Sequence, residues 1–249
     1  MVNKMFKTVD CTIIKNRQLN TNVFEMTVCC DDTSWIKPGK FFNIKVPGFY
    51  LRRPMAVCSY SKKSFTFIYE LVGDGTNTMS KLQIGVTLNI LINLGNQFVY
   101  KKQYGVPLLV SGGSGLGPIV CFARELKKQK IPFDFVAGFP SKNNVVYVNE
   151  IKALCNKAHI CTDDGSYGEK GNVVQIINKY KLNNAYYYSC GSTNMLKALS
   201  KNNKYGQLSL DERMGCGFGA CMGCSIQTKN GDMRICKNGP VFYGEDLLW

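Results

Sequence analysis

Four cysteines near the C-terminal end stand at the spacing C-x4-C-x2-C-x11-C: Cys216, Cys221, Cys224 and Cys236. Thiolates are soft ligands, and four of them can hold a metal centre. Structural zinc sites favour two C-x2-C pairs, and this stretch has one, Cys221 with Cys224. C-x4-C-x2-C with a distant fourth cysteine is the plant-type [2Fe–2S] arrangement. Glycines at 215, 217, 219 and 223 let the chain bend around a cluster and turn N–H groups toward sulfur. The spacing favours [2Fe–2S] over zinc and over a stretch that holds no metal.

The other eight cysteines, at 11, 29, 30, 58, 121, 155, 161 and 190, lie scattered among apolar neighbours. They read as small buried hydrophobes. The start, "MVNKMFKTVDCTIIKNRQ", has no apolar signal-peptide core, so a secreted disulfide framework is not expected.

Three further stretches, in two segments of the chain, could bind phosphate. The turn Gly112-Gly113-Ser114-Gly115-Leu116-Gly117 follows the apolar run "VPLLVSGG" and precedes "PIVCFARELKKQK". Glycines there let the backbone approach a ligand, and the helix start offers free N–H groups. That context makes Gly112, Gly113 and Gly115 candidates for dinucleotide binding, although a plain tight turn would need no ligand. Earlier, "LRRPMAV" sets Arg52 and Arg53 beside Pro54, and "VGDGTNTMSKL" offers Gly73, Gly75 and Thr76. Arginine can grip a phosphate with its planar fork. Either stretch, taken alone, is also an ordinary turn. His159, the one histidine, and the adjacent Asp163 and Asp164 carry no assigned role. Trp249 either covers a ring or packs.

The chain has 249 residues, 45% of them hydrophobic, enough for one large domain or two to three small ones with real cores. The first hundred residues read as short β-branched or aromatic strands, "NVFEMTVCC", "KFFNIKVPG" and "SFTFIYELVG" among them. They suggest a small barrel or sandwich. From Val106 the pattern alternates strand and helix, which implies a parallel sheet covered on both faces. The last forty-odd residues are too few for a core of their own, and a metal centre would explain how they fold. The window Tyr104–Ala123 has five glycines and two prolines. It reads as strand, turn and helix rather than a membrane span, so a soluble, cytoplasmic protein is expected.

Net charge is +14, mostly lysine spread along the chain. From Asp211 onward four basic residues face five acidic ones, so the cysteine-rich end is not a basic arm. Without a basic stripe or a nucleic-acid motif, the excess reads as a solvated surface.

A nicotinamide exchanges a hydride, while a [2Fe–2S] cluster passes single electrons. A flavin can do both, and the β-rich half with its Arg-Pro corner is the natural place for one. The expectation is a β-barrel flavin domain at 1–101 that binds FAD. An α/β parallel-sheet domain that binds NAD follows at 102–205, and a small [2Fe–2S] domain at 206–249. No convincing acid, base or nucleophile for a substrate is present, which suggests that a partner protein supplies the organic chemistry.

This order of parts resembles the ferredoxin–NADP reductase superfamily over nearly the whole chain. The end, "ERMGCGFGACMGCSI…RICKNGPVF", is similar to the electron-transfer subunits of class 1B dihydroorotate dehydrogenases. "RRPMAV" resembles that family's R-x-P-I/L-S flavin motif, and "GDGTNTMSKLQIGVTLNILINLGNQF" its G-x-G-T…L-G-N-x-F stretch. "GGSGLGP", "TDDGSYGEKGNV" and "CGSTNML" resemble its nicotinamide-domain motifs. The resemblance implies that Arg53, Pro54, Met55 and Ala56 line the flavin. It puts Ile68, Tyr69 and Glu70 along the ribityl or adenosine part, and Gly75 and Thr76 at the pyrophosphate. It makes Cys216, Cys221, Cys224 and Cys236 the cluster ligands. Ala56 stands where serine is usual, and Ser192 where the family often has proline. The implied partner is an FMN-containing catalytic subunit that oxidises dihydroorotate, in a heterotetramer of two subunits of each kind, with no nucleic acid and no membrane. Electrons would pass from it through the cluster and FAD to NAD⁺, in pyrimidine biosynthesis. A related flavin/iron–sulfur NAD(P)H oxidoreductase subunit serving another partner is the nearest alternative. NAD against NADP stays open, because "GFPSKNN" offers no acid for a ribose hydroxyl while Ser141 and Lys142 suit a 2′-phosphate.

Overall fold

The computed structural model describes residues 6–249, which form two seven-stranded sheets and a two-stranded hairpin. The first sheet comprises β1 (Lys7–Asn20), β2 (Val23–Cys29), β3 (Phe41–Ile44), β4 (Arg53–Ala56), β5 (Ser59–Tyr60), β6 (Ser64–Glu70) and β7 (Thr87–Leu94). Its order is β4-β3-β7-β1-β2-β6-β5, antiparallel throughout. Alternation sends Cys11, Ile13, Met26, Val28, Phe65 and Phe67 inward. Phe42 meets Phe65 edge-on at 4.9 Å and Phe67 at 5.1 Å. The sheet curls around this core, so that β4 packs on β6 as in a half-barrel. The stretch read as a turn after β6 contains a short helix, α1 (Asp74–Ser80).

The second sheet holds β8 (Leu108–Gly112), β9 (Asp134–Phe139), β10 (Lys157–Thr162), β11 (Glu169–Lys170), β12 (Tyr187–Gly191), β13 (Gly206–Leu210) and β16 (Val241–Tyr243). Helices α2 (Leu116–Lys128), α3 (Val148–Leu154), α4 (Val173–Lys179) and α5 (Thr193–Asn202) connect its parallel strands. The order β11-β10-β9-β8-β12-β13-β16 winds outward in both directions from β8. The β8/β12 boundary is therefore the switch point, where open α/β sheets leave a crevice beyond the strand ends. Ser192 caps α5 by accepting the Met195 N–H at 3.3 Å, which gives the serine at this position a local reason.

The cysteine segment does not begin after the α/β sheet ends. Strand β13, beyond the expected boundary at 205, is a parallel member of that sheet, and β16 returns to its edge antiparallel. The run "GQLSL" is buried at every residue, as a parallel strand covered on both faces must be. Between these strands lie the hairpin β14 (Ser225–Thr228) and β15 (Gly231–Arg234) and a single turn of helix, α6 (Ile235–Asn238). Asn96, just after β7, clamps this segment. Its Nδ2 donates to Asn238 O at 3.1 Å and Val241 O at 2.8 Å, and its Oδ1 accepts the Val241 N–H at 2.9 Å. Among the described residues no helix is long and apolar enough to cross a membrane.

Candidate functional site

A cavity of about 760 Å³ opens between the curled sheet and the α/β sheet. All the flavin candidates line it: Arg53, Pro54, Met55 and Ala56 from β4, Ile68, Tyr69 and Glu70 from β6, and Gly75 and Thr76 from α1. Ser114 and Gly115 from the glycine-rich turn and Pro118 from α2 form the facing side, with Asp211 to Met214 beyond β13. That volume suits a large nucleotide cofactor.

The two neighbouring arginines differ. Arg52 donates to Asn89 Oδ1 at 2.6 Å and Asn89 O at 3.0 Å, which commits it to β7. Arg53 donates to Leu51 O at 2.6 Å and lies 4.9 Å over the Phe49 ring. Its guanidinium also approaches Gly75 so closely that a Cβ there would stand 2.5 Å from Nε. A basic fork against a glycine at the start of α1 is a cradle suited to pyrophosphate. Thr76 Oγ1 accepts the N–H groups of Val72 and Gly73 at 3.0 and 3.3 Å, fixing the turn. Tyr69 donates to Asn16 Oδ1 at 2.9 Å, and Asn16 in turn holds Met79 O and Leu82 O. Burial pushes the Glu70 carboxyl up, and the Asp211 charge adds to this. Asp211 stands exposed on the rim, yet the protein around its carboxyl keeps water from it, and this and then Glu212 push it up as well.

The glycine-rich turn sits at the switch point. Gly115 lines the cavity, and a Cβ on it would stand 2.3 Å from the Cys190 backbone carbon and oxygen. Close packing of turn on strand therefore requires glycine there whether or not a ligand binds. Gly113 opens on a narrow crevice beside Glu70 and Ile68. Gly112 packs on Met195 and lines neither space.

The four cysteines fall into two pairs. Cys221 Sγ lies 3.4 Å from Cys216 Sγ, and the Cys236 N–H donates to Cys224 Sγ at 3.4 Å. Among the described residues no three Cys, His, Asp or Glu side chains converge as a single metal ion would require. Two pairs suit a two-iron cluster, whose bridging sulfides leave each iron two thiolates to take. Although burial opposes it, N–H groups of Cys221, Phe218 and Ala220 bring the Cys216 thiol down to about 6. Burial pushes Cys236 up to about 12. Gly217 and Gly219 adopt φ +77° and +92°, which aims the intervening amides. Arg234 holds the same loop by donating to Gly219 O.

Other sequence candidates find structural places. His159 lies 4.0 Å from the Tyr180 ring and 3.7 Å from Glu169. Asp164 caps a turn at Ser166. Trp249 donates to Ser200 Oγ at 2.9 Å, packing on α5. Six of the eight scattered cysteines are buried, and Cys29 and Cys155 are half-buried. The sequence reading missed Asp211, Arg213 and Met214 on the cavity, and Asn96. Arg213, Met214 and Asn96 stand inside the quoted motifs and Asp211 next to one, but no role was read for any of them.

The iron–sulfur cluster binding domain of dihydroorotate dehydrogenase B matches residues 211–248. The electron transfer subunit of dihydroorotate dehydrogenase B (NAD(+)) of Streptococcus thermophilus is 34% identical over 246 residues, 94% of this chain and 95% of that one. Its Bacillus pumilus counterpart is 36% identical over 251 residues, 95% and 96% of the two chains. Among solved structures, a chain of NADH-dependent reduced ferredoxin-NADP oxidoreductase superposes with a TM-score of 0.86 at 26% identity, covering 96% of this chain and 90% of that chain. Phthalate dioxygenase reductase shares the fold, with a TM-score of 0.66 at 13% identity over 91% and 76% of the two chains.

Proposed function

The chain belongs to the family of electron transfer subunits of dihydroorotate dehydrogenase B (NAD(+)), and we propose that it links a dihydroorotate-oxidising partner to NAD⁺. Cys216 with Cys221, and Cys224 with Cys236, hold the two irons of a [2Fe–2S] cluster. Arg53, Gly75 and Thr76 hold the FAD pyrophosphate, while Pro54 to Ala56 line its ring and Ile68 to Glu70 flank its remainder. Gly115, with Gly112 and Gly113 shaping the turn, admits NAD at the switch point. Bound FAD exchanges single electrons with a cluster and a hydride with a nicotinamide. Dihydroorotate gives up two electrons on the FMN of a catalytic subunit, in a cytoplasmic assembly of two subunits of each kind.

The observation that carries this reading is the shared wall. Residues 211–214 line the flavin cavity, and Cys216 follows two residues later. The backbone that bounds one cofactor space thus leads directly into the ligands of the other. The likeness to NADH-dependent reduced ferredoxin-NADP oxidoreductase supports a second reading, a related subunit serving another partner. Co-purification with the catalytic subunit decides between them, with dihydroorotate-dependent NAD⁺ reduction as the assay. Stable complex and turnover are expected. An FAD- and cluster-loaded chain that neither binds the subunit nor supports turnover would favour the second reading. A colourless protein after anaerobic reconstitution would defeat both. A strong preference for NADPH over NADH would overturn the choice of NAD.

A further inference from the structure

One buried polar side chain outside these assignments lies between the two cofactor regions. Asn43 on β3 is 1% exposed, and its Oδ1 has no hydrogen-bond partner among the described residues. Phe42 and Ile44, its neighbours, point into the barrel core. Phe41, on the same face as Asn43, packs in the apolar cluster that contains Cys224 and Cys236. The Asn43 amide itself lies on Gly217, where an added Cβ would stand 1.9 Å from Nδ2. Gly217 is inside the Cys216–Cys221 loop. Across the sheet, Asn43 is directly opposite Pro54 of the flavin stretch, and opposed residues share a face.

An apolar residue could fill this position without an unmet acceptor, so space-filling alone does not account for an amide there. Amide nitrogen and oxygen are nearly interchangeable in shape, so a half-turn puts an N–H where the unpartnered oxygen stands. We propose that Asn43 is a positioning residue for the iron–sulfur cluster: its amide seats the Cys216–Cys221 loop on β3 and supplies the buried side of that site with a donor dipole. The inference rests on the cluster reading above. Donors near cluster sulfur favour the more negative, reduced form and so raise its potential. Removing the amide lowers the potential, and a carboxylate in its place lowers it further.

The test uses the full chain, reconstituted anaerobically with iron and sulfide, as wild type, Asn43→Leu and Asn43→Asp. Visible and EPR spectra of the wild type come first: absence of a [2Fe–2S] signal there defeats the proposed function, not the role of Asn43. With the cluster present, Asn43→Asp is expected to weaken cluster reduction at least tenfold, about 59 mV for one electron. Asn43→Leu is expected to shift it less, with FAD and iron contents unchanged in both. Potentials equal to wild type in both variants would overturn the proposal. If a variant loses its cluster, FAD content and Tm decide. Cluster loss with both unchanged supports loop seating; joint loss of FAD makes Asn43 a packing residue and overturns the proposal.

Discussion

Arg53 to Ala56 lie on a strand whose four residues all pair with β3, whereas residues 211–224, which carry three of the four cysteines, contain neither helix nor strand. The flavin wall keeps its shape through backbone ladders that owe nothing to a ligand. The cysteine segment is held by two positive-φ glycines, N–H groups aimed at sulfur, Arg234 on Gly219, and the Asn96 clamp. A site on strands tolerates an empty state, while a site on such a loop draws its order from what it binds. The two should therefore fail differently when a ligand residue is removed.

The largest expected effect is on the loop. Cys224→Ser should abolish the cluster's visible spectrum and dihydroorotate-dependent NAD⁺ reduction, while FAD content and NADH oxidation by artificial dyes persist. Unchanged partner-dependent turnover would refute the relay order. Loss of FAD together with the cluster would break the contrast between the two regions.

On the wall, the contrast sharpens to two adjacent arginines. Arg53→Ala should weaken FAD binding about 10- to 100-fold, the worth of hydrogen bonds to a charged phosphate. Arg52→Ala should leave FAD affinity near wild type and lower Tm instead, because its guanidinium is spent on Asn89. Flavin fluorescence titration checks both, and equal losses of affinity would erase the distinction. A smaller effect is expected at the switch point. Gly115→Ala pushes a Cβ into the Cys190 backbone, an overpacking of about 1–3 kcal/mol. Thermal unfolding should show Tm falling by about 2–4 °C for each kcal/mol.

The sequence conveyed these regions unequally. Cysteine spacing is local and has few physical readings, so Cys216, Cys221, Cys224 and Cys236 stood out before any fold. The strand-and-helix alternation was equally plain, because period and turn residues are local too. The end of the α/β sheet was not, since whether "GQLSL" joins a sheet depends on partners far away in the chain. Nor could spacing show that Arg52 and Arg53 diverge, because that follows from which strand each side chain reaches. Asn43 was silent for the same reason, and Asn96, though inside the quoted L-G-N-x-F run, did not show what it holds. An asparagine in a strand or turn looks like any other until the segment it holds, 140 residues or more further on, is folded against it.

The smallest expected effect lies at Asp211, where the wall passes into the loop. Glu70 and Asp211 are both carboxyls whose protonated form the fold favours, through loss of water first and neighbouring charge second. An acid raised in this way adds stability below its unfolded value, near pH 4, and that contribution is lost as pH rises through the raised value. Where Glu70 and Asp211 are both ionised, their charges repel each other on the cavity lining. Asp211→Asn should thus raise the Tm of the FAD-free chain at pH 7 by about 1–2 °C, equivalent to ~0.5 kcal/mol, and leave it unchanged near pH 4. A gain of equal size at both pH values would trace the effect to the loop's own packing, and the acidic rim would then belong to the cysteine segment rather than to the flavin wall.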